Sequence, residues 1–129
     1  PNEWTAKPAS RPLPSVMAPS MVLPVETPEM TPGEVDDRVL HLPGIGALYL
    51  VGDDPLSRAW LTQHAAQLNA MNAAGMVVNV KSETGLQALQ ALAQGGLLSP
   101  ASGTDLAHRL QLSHYPVLIT ETGLTQQVK

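Results

Sequence analysis

The sequence predicts an α/β domain: a four-stranded mixed sheet flanked by helices in the order β-α-β-α-α-β-β, preceded by a proline-rich extended arm over residues 1–43. Three observations predict it. Prolines crowd one end, and of the 12 in the 129-residue chain only Pro100 and Pro116 lie beyond residue 55. From Pro43 onward, short apolar runs alternate with stretches of three- and four-residue apolar spacing, the pattern of strands joined through helices. Two strand-like runs separated by a glycine-containing loop close the chain and read as a hairpin.

In the arm, each proline fixes its own φ and pushes the preceding residue towards extended conformations, so helix cannot propagate. Composition alone reads as a disordered tether. A second reading rests on Val16, Met17, Met21, Val22, Leu23 and Val25, which are more apolar than a solvated linker requires. On that reading part of the arm packs on the domain or on a partner.

ALYLVG (47–52) is a short apolar run ended by glycine and an Asp-Asp-Pro turn, a buried strand. The following stretch, 55–75, places Leu56, Trp60, Leu61, Ala65, Leu68 and Met71 on one helical face, with Asp54 to cap it, Pro55 in its first turn and Gly75 to close it. MVVNV (76–80) is the second strand. Ser82 or Thr84 starts a shorter helix with Leu86, Leu89, Leu92 and Ala93 on one face, stopped by Gly95-Gly96. A loop, GLLSPASG, leads to a third helix over 104–111, where Ser102 and Asp105 have capping-box spacing and Leu106 and Leu110 are one turn apart. PVLIT (116–120) and LTQQV (124–128) flank Glu121-Thr122-Gly123 as a hairpin. Strands joined through a helix run parallel, and the hairpin adds an antiparallel edge.

Composition removes several functions. The formal charge is −4 and the basic residues are scattered, so there is no clustered footprint for nucleic acid. No apolar run approaches the ~20 residues that cross a bilayer. The absence of cysteine excludes disulfides, thiolate-ligated zinc and thiol catalysis. His108 and His114 are too far apart for a helical i, i+4 ligand pair, and SPASGT lacks the G-x-S-x-G elbow. No metal and no cofactor are expected. Asp53 and Asp54, with His64 ten residues on, admit an acid-base or metal reading. The plainer one is that both carboxylates favour a helix start and that His64 lies on the Trp60/Leu68 face.

Proline cannot donate to a β ladder, yet Pro116 directly precedes Val117, Leu118, Ile119 and Thr120. That order, with a proline before the hairpin's first strand, resembles the thioredoxin fold. The resemblance implies a cis Tyr115-Pro116 bond whose loop faces the start of the first helix, where thioredoxins carry Cys-x-x-Cys and this chain carries Asp53-Asp54-Pro55-Leu56-Ser57. It also implies a partner-binding groove between Asp53, Asp54 and Pro55 on one side and Tyr115 and Pro116 on the other, in which an extended peptide pairs with the residue before the proline. The alternative reading is that Pro116 only secures the fold.

GDDPLSRAWL, SPASGTDLA and HYPVLIT, within residues 44–126, resemble a family of integrating conjugative element proteins of undefined role, similar to the TraW and TrbC conjugation proteins. The resemblance implies a thioredoxin-like domain over 44–129 that is exported to the periplasm and serves a conjugative type IV secretion system without enzymatic activity. Its partners would be other secretion subunits. Residues 1–15 lack signal-peptide features, so the expectation is a signal upstream of Pro1. Two alternatives remain: a metal-dependent hydrolase using Asp53, Asp54 and a histidine, and a chaperone-like peptide-binding domain.

Overall fold

The structure, a computed structural model, describes residues 23–126. In chain order the elements are β1 (Thr31–Pro32), β2 (Arg38–Val39), β3 (Leu48–Gly52), α1 (Pro55–Ala70), β4 (Ala74–Asn79), α2 (Glu83–Leu92), β5 (Leu98–Pro100), α3 (Thr104–Leu110), β6 (His114–Tyr115), β7 (Val117–Thr120) and β8 (Gly123–Thr125). Six strands form one mixed sheet in the order β2-β8-β7-β3-β4-β5, and β1 pairs with β6 in a separate two-stranded sheet. Within the larger sheet β3, β4 and β5 run parallel, while β3/β7, β7/β8 and β8/β2 are antiparallel.

The four predicted strands are β3, β4, β7 and β8, and the sheet is wider than expected by one strand at each edge. β5 lies in the stretch GLLSPASG that was expected to be a loop, and β2 comes from the proline-rich arm. Neither has the length to show a period. Both make poor edges for further pairing: Pro100 has no N–H, the Leu98 carbonyl already accepts from Gln90 Nε2 at 3.1 Å, and β2 is two residues long.

Helix starts follow local chemistry. Asp54 caps α1, accepting from the Ser57 N–H at 2.9 Å with Pro55 in the first turn, and Ser82 caps α2 through the Gly85 N–H at 3.1 Å. The expected Ser102/Asp105 capping box is not formed. Gly103 is the N-cap of α3, which leaves Asp105 one position too early, and Ser102 Oγ accepts from the Thr104 N–H instead.

The end of α1 also differs from expectation. The helix stops at Ala70 and the chain leaves it through Asn72, at φ 56°, so Gly75 is free to lie in β4 opposite Tyr49. A Cβ on Gly75 would sit 2.4 Å from the Tyr49 ring and 2.6 Å from Leu98, so any larger residue there must displace both side chains. Gly123 likewise lies in β8 rather than in the hairpin loop, pairing with Thr120; a Cβ there would meet the Arg38 carbonyl at 2.0 Å as β2 approaches.

Alternate residues of the central strands face two cores. Tyr49, Val51, Val77 and Leu118 meet Trp60, Leu61 and Leu68 of α1 and Leu86 and Leu89 of α2. Leu50, Val78, Val117 and Ile119 meet Ala107 and Leu110 of α3, together with Met30, Leu112 and Tyr115. Seven residues of α3 cannot cover that second face alone. The arm completes it: Met30 is 2 % exposed, and Val35, Leu40 and Leu42 pack partly buried against the same core, with Ile45 just beyond the arm. Of the arm residues singled out for packing, Val25 is buried and Leu23 partly so, while Val16, Met17, Met21 and Val22 lie outside the described residues. The Arg38 guanidinium donates to the Leu110 carbonyl at the C-terminal end of α3, where a cation is favoured.

Candidate functional site

The turn after β3 carries Asp53 and Asp54. Both Asp54 oxygens are engaged, Oδ2 by the Ser57 N–H and Oδ1 by the Ser57 hydroxyl at 2.7 Å, and Ser57 Oγ accepts from the Gly52 N–H at 3.0 Å. Asp53 pairs with Arg58 and lies against Gly85 in the first turn of α2, where a Cβ would fall 2.3 Å from its Oδ2. Asp54 therefore serves the start of α1, while Asp53 is held by Arg58 beside the first turn of α2, where a negative charge is favoured.

His64 lies ten residues along, about 15 Å by helical rise. Its ring meets Trp60 edge-on at 5.4 Å, and its Nδ1 is buried with no hydrogen-bond partner among the described residues. Burial pushes its pKa below the ordinary value of 6.5. Asp53, Asp54 and His64 are not brought together, and among the described residues no three His, Cys, Asp or Glu side chains are grouped to hold a metal ion.

The Tyr115-Pro116 bond is cis. The Tyr115 ring is buried over Gly52, where a Cβ would lie 2.5 Å from its Cε1, and its hydroxyl accepts from Asn79 Nδ2 at 3.1 Å. Burial raises the Tyr115 pKa, the Asn79 bond opposes that shift, and the nearby Asp54 charge adds to it. The phenol stays protonated across the physiological range.

The edge beside Pro116, where the pairing of a partner's peptide was expected, is taken by the chain itself. β1 lies parallel to β6, with the Thr31 N–H donating to the Ser113 carbonyl at 2.9 Å and the Gly33 N–H to the Tyr115 carbonyl at 3.0 Å. Gln126 Nε2 ties the same place from the other end of the chain, donating to the Pro116 and Gly33 carbonyls at 3.0 and 2.8 Å.

Residues 25–33 thus form a strap across the site, and Asn79 is the residue that holds it. Val25 and Val80 exchange backbone hydrogen bonds at 2.9 and 3.0 Å. Asn79 Oδ1 accepts from the Thr27 N–H at 2.7 Å, while Nδ2 reaches the Met30 carbonyl at 3.3 Å as well as Tyr115. The Thr27 hydroxyl donates to the Val78 carbonyl at 2.8 Å and accepts from the Gly103 N–H at 2.9 Å, so this polar group, 1 % exposed, is satisfied. On the outer side Glu29 meets the Thr104 hydroxyl at 3.0 Å and His108 Nε2 at 3.5 Å, and Thr31 meets His114 Nδ1 at 3.2 Å. Hydrogen bonds from its own backbone and from Thr104 hold the Glu29 pKa below the ordinary 4.5, with a smaller contribution from His108.

A cavity of about 500 Å³ opens between the strap, the Asp53-Asp54 turn, Asn79–Lys81 at the end of β4, and Tyr115. Three of the five predicted groove residues, Asp53, Asp54 and Tyr115, line it; Pro55 and Pro116 flank them in sequence but do not. Sequence reasoning missed Thr27, Met30, Asn79 and Lys81. Asn79 left one sign, as the polar residue interrupting the apolar run MVVNV. Thr27 and Met30 left none among the surrounding prolines.

Fold and site together define a class: an α/β domain that holds an extended segment of its own chain along a sheet edge and opens a cavity beside it. The chain belongs to the family described as "Protein of unknown function (DUF2859)", whose model matches residues 1–124 and so takes in the proline-rich arm as well as the α/β domain. A search of curated proteins and a search of solved structures each found no match.

Proposed function

We propose that this protein is a non-enzymatic interaction module of a conjugative type IV secretion assembly, acting in the periplasm on a thioredoxin-like scaffold. The observation that carries the interaction reading is the edge beside Pro116. Its Ser113 and Tyr115 carbonyls hold an extended segment by β-pairing while a pocket takes Met30, an arrangement suited to recognising extended chain. The thioredoxin-like scaffold is supported by parallel β3 and β4, the antiparallel β7-β8 hairpin beside β3 and the proline immediately before β7. The conjugative and periplasmic setting is supported by the sequence resemblance alone.

The engagement of both Asp54 oxygens in capping weighs against the hydrolase alternative, because Asp54 would have to leave its cap to act as base or ligand. The test is conjugal transfer from a donor lacking the gene, complemented by the full chain or by the Tyr115→Ala variant. Transfer should fall on deletion, return with the full chain and return only in part with the variant. Unchanged transfer on deletion would remove the reading. Capture of many unrelated unfolded peptides, in place of one partner, would favour the chaperone-like alternative.

A further inference from the structure

The strap contributes no strand to the six-stranded sheet and touches it through Thr27 on Val78 and Asn79 and through Val25 on Val80, just past β4. Its strand β1 belongs to a separate two-stranded ladder with β6, two residues long. Pro24, Pro28 and Pro32 keep it from forming helix; it is extended on either side of a β-turn at residues 27–30, which the Met30 N–H closes by donating to the Thr27 carbonyl at 3.0 Å. Inward it presents Val25, Thr27 and Met30; outward it shows Glu26, Pro28, Glu29 and Pro32 to solvent. After Gly33, residues 34–37 are exposed or half-buried until β2 anchors the chain at the far edge of the sheet. Release of the strap therefore leaves all six strands of the larger sheet paired.

The carbonyls of Ser113 and Tyr115 are both used by the strap, so no second chain can pair there while it is in place. The cavity beside it is lined by the strap's own Val25, Thr27 and Met30, which gives an incoming segment a foothold on the surface that the strap covers. We infer that residues 25–33 are the resident occupant of this site and are displaced by a segment of a partner protein that repeats their chemistry, extended where Thr31 and Pro32 pair with β6. That segment places an apolar side chain where Met30 sits and a hydroxyl where Thr27 sits, and needs no N–H at the position of Pro32. The inference rests on the interaction reading of the site and names the form of the partner.

The chain has no cysteine, so an introduced thiol is unique. In the full chain, a thiol at Val25→Cys should react with a thiol reagent at least about ten-fold faster than one at Val77→Cys, which opens only with the sheet. Equal rates would overturn the inference. Hydrogen exchange on the unsubstituted chain gives the same reading without mutation: the Thr31 and Gly33 amides should exchange faster than those of β3, and equal protection would count against release.

A labelled synthetic peptide of residues 24–34, PVETPEMTPGE, is the ligand probe. Thr31 and His114 are register partners, and a disulfide between Thr31→Cys and His114→Cys locks the strap. The peptide should bind the reduced double variant and lose that binding on oxidation. Binding that survives the lock, or is absent from the reduced form, refutes displacement. These readouts use purified protein, so they stand or fall independently of the transfer experiment.

Discussion

Asn79 shows what one side chain contributes here. Its carboxamide meets strap and Tyr115 with both ends, so Asn79→Ala leaves the Thr27 N–H and the Met30 carbonyl without their partner in a partly buried site. The expected cost is about 2–3 kcal/mol, read as a lower urea midpoint with an unchanged slope. Asp54→Ala removes a helix cap and should cost about 1 kcal/mol, whereas Asp54→Asn, which still accepts, should cost less. Two groups with lowered pKa contribute to the acid side of the stability profile. The His64 pKa is lowered by burial, so the unfolded chain takes up a proton first; the stability due to the neutral ring is full above pH 6.5 and falls as the pH drops below it towards the folded value. The Glu29 pKa is also lowered, from 4.5, and its contribution is lost only below that. Melting temperature against pH should therefore decline in two windows, and His64→Gln should flatten the upper one and leave the lower.

At the scale of elements, the long ones were legible and the short ones were not. α1, with apolar spacing, Asp54 and Pro55, and the apolar runs of β3 and β4 announce themselves locally. β1, β2 and β5 are two or three residues long and exist because a neighbouring edge supplies half of each ladder. Glycine was the ambiguous sign. Gly75 reads as a helix stop in the sequence but lies in β4 beneath the Tyr49 ring, so Gly75→Ala should overpack the β3-β4 pair and cost about 1–3 kcal/mol. An unchanged thermal midpoint for Gly75→Ala would show that the ring yields at no cost.

For the whole molecule, the important fact is that both faces of the sheet are apolar and α3 is too short to cover one of them. Residues of the arm supply the missing cover with Met30, Leu40 and Leu42, and Val25 adds to the core on the other face. A chain beginning at residue 44 should therefore be several kcal/mol less stable than the full chain, at about 1.5–3 kcal/mol for each fully buried side chain lost. Denaturant titration of the two chains decides it, and coincident curves would mean that the α/β portion stands alone.

The candidate site divides in the same way. Asp53, Asp54 and Tyr115 were legible because a helix start and an X-Pro step are written in adjacent residues. The sequence by itself determined the helices, the four central strands and the lack of thiol chemistry, all consequences of local pattern or composition. Tertiary structure alone decided the six-strand width, the position of the strap and the role of Asn79, whose hydrogen-bond partner Thr27 lies 52 residues away along the chain. Such contacts depend on which faces the fold leaves uncovered, and no local pattern encodes that.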